Sequence, residues 1–304
     1  MLKSKKFWMV VVAFVLIVVG CSTGNDNASN ENENNNDGSD HTAPSMDDLD
    51  PDDPETEYIE NGEEIFNETN VTLEESGNEL SCQSCHADGG YSNSSSMVGV
   101  AADFPQYRPR EGVSFTLEDR INGCMVRSMN GEKLDEDSEE MRALMSYMTY
   151  LSEGVEIGQD RPWVEENTME EVPEPDVDNG EELYADKNCL SCHGEDGEGT
   201  GANEGPALWG EDSFNDGAGM GRLTKASGYI QNNMPVGEEN TLSDQEAADL
   251  AAFLLSQDRP EWDGHDDDFP GIDAPTDIIT QDIRDQIQEG EFDWTEVDNV
   301  VPKD

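Results

Sequence analysis

The chain has 304 residues, room for two small domains, and only 34% of them are hydrophobic. Its 71 acidic residues far outnumber the 16 basic ones, for a formal net charge of −55. Such a surface repels nucleic acid, so no nucleic-acid partner is expected, and it strains the compact state through self-repulsion.

Lys3, Lys5 and Lys6 precede an apolar run from Phe7 to Val19, too short to span a bilayer comfortably. It ends in Val18-Val19-Gly20-Cys21, which resembles the lipobox of bacterial lipoproteins. There the cysteine takes a diacylglycerol and becomes the mature N-terminus. An ordinary signal peptide or an uncleaved anchor helix are the alternatives; the small residue before Cys21 and the polar run after it favour the lipoprotein. Residues 1–20 are thus read as a signal and Cys21 as a lipid anchor at the extracytoplasmic face of the cell membrane. Loss of the signal removes three lysines and no acid. At molar salt the Debye length is about 3 Å and the repulsion is screened, so the composition suits a halophilic protein of a saline or soda-rich exterior. Residues 21–56, rich in Asn, Asp, Glu and Ser, are expected to form a disordered acidic tether.

Two pentapeptides follow, Cys82-Gln83-Ser84-Cys85-His86 and Cys189-Leu190-Ser191-Cys192-His193. In C-x-x-C-H both thiols add to haem vinyl groups and the histidine becomes the proximal iron ligand. C-x-x-C alone also serves zinc sites and redox dithiols. Two copies, each followed directly by histidine in an exported chain, point to two covalently bound haem c groups.

Around each motif the chain repeats itself. Asn61-Gly62-Glu63-Glu64-Ile65-Phe66 precedes the first and Asn179-Gly180-Glu181-Glu182-Leu183-Tyr184 the second, each predicting a short amphipathic helix. Ser138 opens a closing helix with Met141, Leu144, Met145, Met148 and Leu151 on an apolar stripe. Ser243-Asp244-Gln245-Glu246 is a capping box opening another, with Ala247, Leu250, Ala251 and Leu254 inward. This order resembles class I cytochrome c and implies an all-α fold of two such domains in tandem, at 57–158 and 177–258. Residues 159–176, with three prolines, read as a linker. Residues 259–304 read as an acidic C-terminal tail with a short helix over 278–287 and no chemistry; Asp266 to Asp268 are expected to be a solvated run rather than a cation site.

Each haem iron has a far side to fill, and only His41 and His265 lie outside the motifs, one in each expected tail. Met234, in Asn232-Asn233-Met234-Pro235, resembles the loop methionine ligand of many class I cytochromes. By the same resemblance Pro206 would offer its carbonyl to the His193 ring N–H. In the first unit Met129 lies nine residues before Ser138, as Met234 lies nine before Ser243. Cys124 competes with it, on a helix begun at Thr116 where Leu117, Ile121 and Cys124 share one face; a thiolate there would lower the potential of that haem. Spacing alone divides the assignment evenly.

Arginine placement favours Cys124. Beyond the signal the chain has nine arginines, and five of them (Arg108, Arg110, Arg120, Arg127 and Arg142) fall in one short window around it. Guanidinium forks suit oxyanions, and such a group around an unpaired thiol suggests a small sulfur-containing anion. One or two of the five are expected to pair with propionates or surface carboxylates instead.

These residues resemble the dihaem thiosulfate dehydrogenases that form tetrathionate. The resemblance rests on Tyr107-Arg108-Pro109-Arg110, Leu117-Glu118-Asp119-Arg120-Ile121-Asn122-Gly123-Cys124, Arg127-Ser128-Met129-Asn130-Gly131 and Ile230-Gln231-Asn232-Asn233-Met234-Pro235. It spans roughly 57–260 and implies His86 and Cys124 as axial ligands of a catalytic haem 1, and His193 and Met234 on an electron-exit haem 2. Arg110 and Arg120 would bind substrate, with Arg108 and Arg127 as further candidates. Electrons would pass to a small cytochrome or a membrane-bound acceptor, and the reaction could run in reverse. Some members have an exchangeable lysine before the methionine; here the position is Asn233. The competing readings are a membrane-tethered, non-catalytic electron carrier with Met129 on haem 1, and the haem subunit of a multienzyme thiosulfate-oxidising complex.

Overall fold

A computed structural model describes residues 41–302. The signal, Cys21 and most of the expected tether lie outside the described residues. Among the described residues no helix is long and apolar enough to cross a membrane.

The first unit opens with α1 (Thr56–Asn67) and the one-turn α2 (Thr69–Thr72). After the first haem motif come a hairpin of β1 (Gln106–Arg108) and β2 (Val113–Phe115), then α3 (Leu117–Arg127) and α4 (Glu139–Tyr150). Thr116 and Asp119 form a capping box that starts α3, and the Ser138 hydroxyl caps α4 by accepting from Met141 N at 3.0 Å. Each such cap stabilises its helix by about 1 kcal/mol. The expected stripe of α4 is inward at Met141, Leu144, Met148 and Leu151, and Tyr147 joins it fully buried. Each apolar side chain so buried contributes roughly 1.5–3 kcal/mol.

The second unit repeats the plan. β3 (Val172–Pro173) leads to α5 (Val177–Asp186), and the one-turn α6 (Leu190–His193) carries the second motif. α7 (Leu223–Asn233) and α8 (Asp244–Leu255) close it, α8 from the expected Ser243–Glu246 capping box. Ala247, Leu250 and Ala251 are buried as expected, but Leu255 rather than Leu254 turns fully inward. The fold is thus two helical cytochrome c domains in tandem, with, among the described residues, two small sheets that the sequence did not suggest: the antiparallel β1–β2 hairpin and the parallel pair of β3 with β4 (Val300–Val301).

Three segments expected to be loose are packed. Residues 41–55, assigned to the tether, lie on the first unit: Ala43 is buried, Tyr91 Oη donates to Pro44 O at 2.9 Å, and Tyr150 Oη donates to Ser45 O at 2.6 Å. The linker is held through Met169 and Val172, both buried in the second core. The C-terminal segment also folds back, forming α9 (Gln281–Gln288) and placing Asp277 and Arg284 inside the protein. Arg284 Nη2 meets Asp216 Oδ2 at 3.1 Å, and Asp216 Oδ1 accepts from Trp262 N (2.7 Å) and from His265 Nε2 (2.8 Å). Composition suggested solvated tails, but a few apolar and paired charged residues suffice to anchor an acidic segment whose other carboxylates stay in water. The units also touch directly: Ser84 Oγ donates to Ala202 O (2.6 Å), and Asn215 Nδ2 donates to Val126 O (2.9 Å).

Candidate functional site

The two histidines are set identically for metal ligation. His86 Nδ1 donates to Ser95 O at 2.6 Å and His193 Nδ1 to Pro206 O at 2.8 Å, which leaves Nε2 of each ring as the free donor atom. Burial lowers the pKa of both, which favours the neutral imidazole that metals bind. Pro206 was foreseen as such a partner; Ser95 was not. Each ring follows directly on its two cysteines, so the thiols suit thioether attachment and the imidazole suits iron ligation, and the residues present fit two covalently held haems.

Cys124, half-buried on α3, lies near the two cysteines of the first motif. Burial pushes the Cys82 thiol up to about 12 and the Cys85 thiol up to about 11, and the nearness of Cys124 adds to both. The competitor, Met129, is 3% exposed and packs in the first hydrophobic core. Met234 in the second unit is only partly buried, against the second core, at the end of α7.

Arg120 Nη1 donates to Cys124 Sγ at 2.9 Å, one helical turn away on the same face of α3. Four of the five arginines gather there. Burial lowers the pKa of Arg108, and its guanidinium neighbours Arg120 and Arg110 lower it further. Burial, then Arg110, does the same to Arg127. Arg142 stays apart, exposed and 3.5 Å from exposed Asp137.

Two carboxylates organise the cluster: Glu111, for which no role was expected, and Asp268, expected only as part of a solvated run. Asp268 Oδ2 lies 2.6 Å from Arg110 Nη2, and its Oδ1 lies 3.5 Å from Arg127 Nη2. Glu111 lies 3.1 Å from Arg127 Nη2 and 3.8 Å from Arg108 Nε. Asp268 is therefore neither solvated nor a cation ligand; it sits in the site, 8% exposed. Phe269 N donates to Arg110 O at 2.6 Å, and Trp262 stacks on the Arg127 guanidinium at 5.3 Å. Arg110 Nε, Arg127 Nε and Glu111 Oε2 stay buried without a hydrogen-bond partner, so the cluster holds unpaired donors as well as an unpaired acceptor. Glu111 adjoins Arg110 in sequence and was open to notice. Asp268 is 158 residues from Arg110 and carried no local signal.

Comparison with known proteins places both domains. Residues 61–157 match the SoxA/TsdA cytochrome c domain, and residues 177–258 match cytochrome c. The chain is 39% identical over 234 residues to a thiosulfate dehydrogenase of Psychrobacter arcticus, covering 75% of this chain and 71% of the relative. It is 41% identical over 214 residues to one of Allochromatium vinosum, covering 67% and 79%. Among solved structures, the "as isolated" thiosulfate dehydrogenase TsdBA of Marichromatium purpuratum superposes with a TM-score of 0.68 at 31% identity. That match covers 78% of this chain, which spans only 52% of the solved one.

Proposed function

The chain belongs to the dihaem cytochrome thiosulfate dehydrogenase family, and we propose that it joins two thiosulfate dianions into tetrathionate and passes two electrons to an external acceptor. The observation that carries this is the Arg120–Cys124 contact inside a group of four arginines. An electron carrier needs no such anion pocket.

When bound, the two c-type haems supply a pair of one-electron acceptors, which matches the two electrons the coupling releases. His86 and Cys124 would hold the iron of the first haem, and His193 and Met234 that of the second. Cys82, Cys85, Cys189 and Cys192 form the thioethers. The protein's own residues manage charge and sulfur. Two dianions repel each other, and Arg108, Arg110, Arg120 and Arg127 offset that repulsion where water is partly excluded. The ionised Cys124 sulfur, the form in which a thiol is nucleophilic, bonds to the terminal sulfur of one thiosulfate, with two electrons leaving. The second thiosulfate then attacks that sulfur, forms tetrathionate and returns Cys124 with its electron pair, as in thiol–disulfide exchange. Arg120 steadies the departing sulfur. The same steps run backwards would reduce tetrathionate, and the acceptor is a small cytochrome or a membrane-bound electron acceptor.

The working place is the outer face of the cell membrane, with Cys21 lipid-anchored. Thiosulfate added to oxidised holoprotein should reduce its haems and yield one tetrathionate per two thiosulfate. Haems that stay oxidised would leave the chain a carrier. The acid excess adds that the melting temperature should rise between dilute buffer and molar sodium chloride; an unchanged value would mean the charges are already well separated.

A further inference from the structure

One side chain of the linker touches the ligand-bearing loops of both units. Asn167 Nδ2 donates to Ser95 Oγ at 2.7 Å and to Ser94 Oγ at 2.9 Å. Its Oδ1 accepts from Asn232 Nδ2 and from Asn233 Nδ2, each at 3.1 Å. The carbonyl of the same Ser95 accepts the His86 Nδ1 proton, and Asn233 directly precedes Met234. A continuous path thus runs from His86 through Ser95, Asn167 and Asn233 to Met234.

The path is fixed at both ends. Glu165 N donates to Asn93 O at 3.0 Å, and Met169 N donates to Thr224 O at 2.9 Å. Lys225 Nζ donates to Thr168 Oγ1. Gly228 lets the linker lie flat on α7, for a Cβ there would come within 2.5 Å of Thr168 N. Ser95 itself has a φ of +52°, a left-handed conformation that serine seldom adopts unless its surroundings hold it. The hydrogen bond to Asn167 does part of that holding. The chemistry at 167 is that of an amide, with donors on one edge and an acceptor on the other. An apolar residue would meet neither demand, and a carboxylate would add charge between the two units.

Resting on the assignment of His86 and Met234 as axial ligands, we propose that Asn167 is a positioning residue that sets both ligands together. It acts on the His86 imidazole through Ser95 and on Met234 through the Asn232–Asn233 turn. A partner that orients a ligating histidine also tunes its basicity, so a change at this amide reaches both irons.

The test uses the full holoprotein and a redox titration that follows each haem by its own spectrum. Asn167→Ala should leave both haems attached and displace both potentials, shifting the electron-exchange equilibrium between the units by about tenfold, or about 59 mV for a one-electron couple. Ser95→Ala, a smaller change that suits a poorly folding Asn167→Ala, should shift the same equilibrium in the same direction. The double variant should then shift little further, since both changes break one path. A lower melting temperature with unchanged potentials would reduce Asn167 to a tether. A displacement confined to one haem, or fully additive shifts, would also overturn the coupling. The ligand assignment fails separately: Met234→Gly would then leave the spectrum of the second haem unaltered.

Discussion

In the first unit α1 meets α4 at Gly62, and in the second α5 meets α8 at Gly180. A Cβ at either would lie 2.1 Å from a carbonyl oxygen of the facing helix, that of Ala143 or of Asp249. An aromatic side chain flanks each crossing, Tyr147 or Phe253, and its ring lies 5.6 Å from Phe66 or from Tyr184. Histidine orientation matches too, through Ser95 O and Pro206 O. The units part company on the far side of the haem motif. The first presents Cys124 with Arg120 and three further guanidinium groups. The second presents Met234 at the end of α7, with no arginine in Leu223–Asn233. One scaffold therefore serves both units, and the proposed division into reaction site and relay rests on a few side chains that differ between them.

The sharpest way to break that contrast is to make the first unit resemble the second. Cys124→Met keeps a sulfur donor and both attachment motifs, yet a thioether cannot make or break the sulfur–sulfur bond. Turnover should fall by roughly 10³ or more while the potential of the first haem rises; steady-state assay and redox titration read the two. Met234→Gly should instead alter the second haem and leave thiosulfate binding intact.

The shared crossing can be broken in either unit. Gly62→Ala and Gly180→Ala should each destabilise the protein by about 3 kcal/mol, because backbone rather than a flexible side chain must yield. Thermal melts that place either variant at the wild-type midpoint would show that the crossing can open without cost.

Within the first unit, Arg120→Lys keeps the charge but loses the planar fork that reaches Cys124 Sγ. A drop of roughly 10- to 100-fold in kcat/KM with unchanged spectra is expected. Arg142→Ala, outside the cluster, should give wild-type rates.

The smallest effect should come from the C-terminal segment. Asp268→Asn removes a negative charge that competes with a dianion for Arg110 and Arg127. KM for thiosulfate should fall a few-fold at low ionic strength, with a steeper dependence on salt. A higher KM would mean instead that Asp268 chiefly holds the arginines in line.

Much of the site was open to reading because its signals are local. C-x-x-C-H fixes four cysteines and two histidines, and the cap at Thr116 with helical spacing places Arg120 one turn from Cys124. Of the five arginines in the window, Arg142 is one that pairs with a surface carboxylate, as expected of one or two of them, since it sits on the next helix and faces Asp137. The choice between Cys124 and Met129 was even on spacing. Packing favours Cys124, because Met129 is consumed by the core while Cys124 keeps company with Arg120 and the attachment cysteines.

The sequence by itself determined two haem attachments, the helical repeat around them, the capped closing helices and the sulfur-and-arginine character of the first unit. Each depends on covalent chemistry or on contacts within a few residues. Tertiary structure decided that the C-terminal segment, read as an inert acidic tail, delivers Asp268, Trp262 and Phe269 to the arginines. It also decided that the linker places Asn167 between the two ligand loops. Both depend on where distant segments fold back, and that is set by the burial of Arg284, Asp277, Met169 and Val172 in cores assembled from remote parts of the chain.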